Sequence, residues 1–199
     1  MPPPLRRFSA ATPPEMLVAA IKTDGGCIVE KMFDSVIITE MREAVLAKAA
    51  RDSVTDAAPG SATFGYAAAS EVGTEAALEA GTSYVGSNTI RFSSLGKLAP
   101  SAFFRMLENP IYKYVCDCML LPYAGTYWVN TAQAMLIGPN SPAQHLHHDD
   151  SVWCQVSNRL AASNQEAPEL TIGAMIALDT VDESVGATRV VPGRWVRDG

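Results

Sequence analysis

Ser141-Pro142-Ala143-Gln144-His145-Leu146-His147-His148-Asp149-Asp150 holds all three histidines of the 199-residue chain beside two carboxylates, so it is the place to look for a metal. Read as a β-strand, it turns His145, His147 and Asp149 to one face and Leu146, His148 and Asp150 to the other. Residues i and i+4 on a strand lie about 13 Å apart, whereas metal bonds to imidazole and carboxylate are about 2 Å long. His145 and Asp149 therefore cannot share an ion. The pair that can is His147 with Asp149, or less well His145 with His147. A solvated polar strand end, or a turn with histidines in it, remains the competing reading.

Two histidines and one carboxylate on one face of an octahedron are the ligand set of non-haem Fe(II) oxygenases, and a His-x-Asp pair suits two of those three positions. The surrounding residues add to this spacing. The chain from Gly125-Thr126-Tyr127-Trp128 through Asn140 to Asp150 resembles the phytanoyl-CoA dioxygenase family, nearest to its fungal secondary-metabolism branch of ergot-alkaloid and verruculogen-synthase-like enzymes. A second landmark follows at Gly186-Ala187-Thr188-Arg189-Val190-Val191-Pro192-Gly193.

Matched residue by residue, the resemblance implies that His147 and Asp149 are the first two iron ligands, with His148 where arginine is usual. It also places Gln144 on 2-oxoglutarate, and Thr188 with it. The implied cofactors are Fe(II) and 2-oxoglutarate, and the implied partner is a small alkaloid-like or terpenoid-like substrate that is hydroxylated, oxidised or cyclised. The implied fold is α+β, mainly β: a double-stranded β-helix, or jelly-roll, behind amino-terminal helices. After Pro192-Gly193 the family's Ser-His is replaced by Arg194-Trp195-Val196-Arg197-Asp198-Gly199. The family's distal iron-binding histidine and its 2-oxoglutarate-binding arginine come later still, so the resemblance implies a jelly-roll without its last strands and a weak or inactive oxygenase. Arg189, Arg194 and Arg197 are the residues that could replace that arginine. An open sheet edge would also favour a homodimer. Two other classes compete: a non-catalytic relative that binds a metabolite or a protein, and a hydrolase or cupin-like enzyme using another metal.

Composition fits one soluble globular domain over residues 1–199, with 48% hydrophobic and 18% charged residues. A net charge of −6 and a pI near 5.0 argue against nucleic acid and anionic membranes as partners. The amino terminus lacks the apolar core of a signal peptide and no apolar run approaches the roughly 20 residues of a membrane span, so a cytoplasmic location is expected. Cys27, Cys116, Cys118 and Cys154 show no Cys-x-x-Cys spacing and read as reduced packing residues.

Along the chain, Thr12-Pro13-Pro14-Glu15 predicts a helix start with Thr12 as N-cap, closed by Gly25-Gly26. Residues 27–33 predict a strand, and Asp34 or Ser35 caps a second helix running to about Ala50. Residues 52–88 are rich in Ala, Gly, Ser and Thr and read as a mobile, loop-rich insert. Thr89-Ile90-Arg91-Phe92 alternates like a strand. Ala99-Pro100 opens a helix that Asn109-Pro110 divides. Two buried strands are expected, at 127–137 and 171–178.

Overall fold

Proline and glycine set the boundaries of the first elements, because one fixes φ and the other tolerates the left-handed region. The computed structural model describes residues 4–52, 89–140, 143, 144, 146, 147, 149, 153, 156 and 168–193. The insert expected at 52–88 lies outside them apart from Asp52, as do His145, His148, Cys154, Arg194 and Arg197.

Strand β1 (Arg7–Ser9) and strand β2 (Ile28–Glu30) pair in parallel, Phe8 opposite Val29, and helix α1 (Pro14–Asp24) crosses between them. Thr12 is not the cap of α1. Pro14 takes the first helical position and holds Pro13 extended at φ −52° and ψ 127°, so Pro13 becomes the N-cap and makes no side-chain bond. Gly25 closes the helix at φ 76°, and its N–H donates to the Ile21 carbonyl at 2.9 Å.

Helix α2 (Ser35–Asp52) starts where Asp34 Oδ1 accepts the Val36 N–H at 2.9 Å. Its Ile37, Met41 and Val45 recur at four-residue spacing and are buried, a stripe that faces the larger apolar cluster. Strand β3 (Thr89–Phe92), the single-turn helix α3 (Leu95–Leu98) and helix α4 (Pro100–Leu107) complete that cluster with Phe92, Leu95, Ala102 and Met106. No side chain of its own caps α4. Glu40 reaches across from α2 instead, and its Oε1 accepts the Ala102 N–H at 3.1 Å.

Helix α5 (Pro110–Ala124) begins at Asn109, whose Oδ1 accepts from the N–H groups of Ile111 at 3.0 Å and Tyr112 at 3.2 Å. Its Val115 and Met119 form the smaller cluster with Leu17 and Val18 of α1. Beyond Gly125, which caps α5 at φ 68°, the Tyr127 hydroxyl donates to Asp117 Oδ1 at 2.6 Å and turns the chain back along the helix.

The strand expected at 127–137 is shorter and less buried than its apolar composition predicts. Only Ala134–Ile137 forms a strand, β4, antiparallel to β3 with Arg91 opposite Met135. Trp128, ahead of the ladder, is 74% exposed. Residues 171–178 have no ladder. Even so, Ile176 and Leu178 turn inward while Met175 and Ala177 face out, which is the alternation of a strand. A strand is assigned through its partner's hydrogen bonds, and among the described residues none pairs with this segment. A 3₁₀ turn at Glu183–Val185 follows, capped by Asp182 Oδ1 on the Ser184 N–H at 2.8 Å. The described residues therefore form helices around two small two-stranded sheets. None of the helices is long and apolar enough to cross a membrane.

Candidate functional site

The residues singled out in the sequence follow directly from β4. After Ile137 the chain turns through Gly138-Pro139-Asn140, with Asn140 in the left-handed region at φ 59°, a conformation asparagine tolerates better than most residues. Gln144 and His147 then lie outside any regular element and Asp149 in a 3₁₀ turn, where a strand was expected. His147 Nε2 and Asp149 Oδ1 nevertheless lie 3.4 Å apart, with the imidazole 27% and the carboxylate 84% exposed. Two neighbouring ligands on an octahedral ion, each at about 2.1 Å, sit about 3 Å from one another. The pair therefore fits one ion with little movement, and the exposed carboxylate leaves room for other ligands. Among the described residues, no group of three or more His, Cys, Asp or Glu side chains could hold a metal.

Arg91 joins this site from β3, and sequence reading passed over it. Its Nη1 donates to Gln133 Oε1 at 3.3 Å, just ahead of β4. Burial pushes its pKa below the ordinary value, and the Asp149 carboxylate pulls in the opposite direction. A half-buried guanidinium thus lies within electrostatic reach of the metal-type carboxylate. The available signal was a lone cation inside a short apolar strand. What gives it meaning is the β3–β4 register, which local sequence does not encode.

Gln144 is half-buried, and its backbone carbonyl accepts from Arg189 Nη2 at 3.1 Å. Thr188, the neighbour of Arg189, is exposed. The structure thus brings His147, Asp149 and Arg91 together, and ties Gln144 to the segment that carries Thr188. The cysteines lie elsewhere: Cys116 and Cys118 are on α5, and Cys27 precedes β2. Burial raises the Cys27 and Cys116 thiols, which disfavours the thiolate and suits packing.

Known proteins bear on this arrangement in two ways. Dioxygenase aneA of Aspergillus aculeatus is 34% identical over 108 residues, covering 54% of this chain and 35% of the relative. Dioxygenase cdmA of Talaromyces verruculosus is 28% identical over 194 residues, covering 98% of this chain and 59% of the relative. The multifunctional dioxygenase prhA of Penicillium brasilianum is 25% identical over 195 residues, covering 97% and 56%. The chain thus spans between about a third and three-fifths of the length of these relatives. The sequence profile described as Phytanoyl-CoA dioxygenase (PhyH) matches residues 21–194, a stretch that begins in α1 and takes in β3, β4, His147, Asp149 and the 186–193 segment. With the match running through every element that builds the site, this chain belongs to the phytanoyl-CoA dioxygenase family.

Proposed function

We propose that the chain carries the first part of an Fe(II)- and 2-oxoglutarate-dependent dioxygenase site of fungal secondary metabolism. The observation that carries this reading is the 3.4 Å approach of His147 Nε2 to Asp149 Oδ1 within a stretch matched by the family profile. His147 and Asp149 are two of the three protein ligands. Fe(II) bound there would supply oxidation of the substrate coupled to decarboxylation of 2-oxoglutarate.

The chain's own residues prepare that chemistry. Asp149 supplies the negative charge that makes a divalent ion tolerable, and His147 supplies a neutral nitrogen donor. Arg91, half-buried and always protonated, is placed to take a carboxylate of the keto acid, since a planar fork of donors matches that group. Gln144 and Thr188 would supply polar contacts to 2-oxoglutarate. The substrate class is an alkaloid-like or terpenoid-like small molecule. The alternation of side chains over 175–178 and the β3–β4 pair support a jelly-roll as the frame.

All three histidines fall within 145–148, and among the described residues no third His, Cys, Asp or Glu joins His147 and Asp149. The 199-residue chain is therefore expected to bind Fe(II) weakly and to show little 2-oxoglutarate turnover. Calorimetric titration with Co(II) as an air-stable substitute should give weak one-site binding. His147→Ala should reduce it by more than the roughly 10–100-fold typical of losing a residue that merely supports a ligand. Binding unaffected by both His147→Ala and Asp149→Ala would exclude the site. Vigorous succinate release from 2-oxoglutarate would show that a third ligand is supplied from elsewhere in the chain.

A further inference from the structure

Residues 182–193 run past the candidate site as a strap fixed at points independent of it. The strap starts at the Asp182-capped turn, where Asp182 Oδ1 accepts both the Ser184 N–H at 2.8 Å and the Ser184 hydroxyl at 2.6 Å. Gly186 then lies against β4, close enough that an added Cβ would meet the Ile137 side chain at 3.6 Å. At the far end, the Gly193 N–H donates to the Asp24 carbonyl at 2.8 Å, on the carboxy-terminal turn of α1. Between these anchors Arg189 extends to the irregular segment that carries the candidate ligands and donates to the Gln144 carbonyl at 3.1 Å.

From this arrangement, and resting on the metal site proposed above, we infer that Arg189 is a positioning residue: its guanidinium fixes the Gln144 carbonyl and thereby the setting of His147 and Asp149. The physical reason is an asymmetry between the two segments. The strap is tied to β4 where Gly186 packs on Ile137 and to α1 where Gly193 bonds Asp24, whereas none of the described residues of 143–149 belongs to a strand ladder. A charge-assisted bond from the held segment to the unladdered one restricts the latter. Gln144 lies three residues before His147, so a shift of its carbonyl is passed along the backbone to the imidazole. Arginine suits the task because its several donors keep the contact while the long side chain reorients, and its charge does not titrate. This role differs from that of a receptor for the keto acid's carboxylate, which would need the guanidinium directed at the ligand.

The test compares wild type with Arg189→Ala and Arg189→Lys by ¹⁵N relaxation of the apo chain and by Co(II) titration with and without 2-oxoglutarate. A positioning role predicts that in Arg189→Ala the order parameters of the Gln144, Leu146, His147 and Asp149 amides fall from near 0.85 to below about 0.6. Co(II) affinity should fall roughly 10–100-fold, equally with and without 2-oxoglutarate, and Arg189→Lys should restore part of it. Unchanged amide order combined with selective loss of 2-oxoglutarate binding would overturn the inference and make Arg189 a carboxylate receptor. Unchanged order together with unchanged Co(II) affinity would also overturn it. If wild type takes up no Co(II), the proposed metal function fails, while the relaxation measurement still decides the role of Arg189.

Discussion

Tyr127 shows how one hydroxyl can decide the course of the chain. The hydrogen bond it donates to Asp117 pushes its pKa from 10.0 up to about 12, because ionisation would set two negative charges side by side. Asp117 is held low by Lys113, whose Nζ lies 2.7 Å from it, and then by Tyr127. The folded pKa of Tyr127 lies above its unfolded value. Its contribution is therefore complete below pH about 10 and is lost as pH rises through about 12. Burial, and then Cys116, push Tyr112 up to about 12 with the same sign. Urea midpoints should accordingly fall across this window, and Tyr127→Phe should remove part of the fall along with one late component of the tyrosinate absorbance. A late component that survives Tyr127→Phe unchanged would contradict the assignment. At the same scale, His147 and Asp149 were readable as a pair because both the i, i+2 spacing and the resemblance are local. Arg91 was not, because its relation to Asp149 arises from a strand pairing across 42 residues or more of sequence.

Among the elements, helices were more legible than strands, and the reason is physical. A helix satisfies its own backbone, so Gly25, Asp34, Pro100 and the Asn109-Pro110 break could mark helix ends without reference to the rest of the fold. A strand exists only with its neighbour, so the apolar run at 127–137 yielded four strand residues and the run at 171–178 yielded none. Thr12 is the exception among helix signals. A second proline after it moved the cap one residue along. Asn109 does two jobs: its Oδ1 caps α5, and its Nδ2 donates to the Met32 carbonyl at 3.1 Å, tying the helix to the turn after β2. Asn109→Ala should cost about 1–2 kcal/mol in denaturant titration. Asn109→Asp should keep the cap but lose the Met32 contact, and so fall between the two. Equal losses in both variants would mean that the Met32 bond, and not the cap, carries the effect.

At the scale of the whole molecule, two apolar clusters share the load, one under α2, α3 and α4 and one between α1 and α5. Leu17 and Met41 are the most enclosed large side chains, at 1% and 2% exposure, and each belongs to a different cluster. Leu17→Ala and Met41→Ala should each cost about 2–5 kcal/mol by thermal or urea denaturation, and the double variant should lose the sum of the two, since the sites share no cluster. A large departure from additivity would show that the clusters act as one. The corner where α1 meets the strap is tighter than either. Gly25 has φ 76°, and a Cβ there would sit 2.9 Å from the Gly193 carbonyl oxygen, so Gly25→Ala combines about 1–2 kcal/mol of left-handed strain with a backbone clash.

The bond from Gly193 to Asp24 also joins two points 169 residues apart, counting from 24 to 193, and so closes nearly the whole chain into a loop. Contacts of such wide separation repay their entropy only after the intervening chain is ordered, which places this closure late on the folding route. Gly25→Ala should therefore leave the refolding rate close to that of wild type and express nearly all its cost as faster unfolding. Stopped-flow folding and unfolding arms measured over a range of urea would show this directly, and a matching slowdown of refolding would place the corner in the nucleus instead.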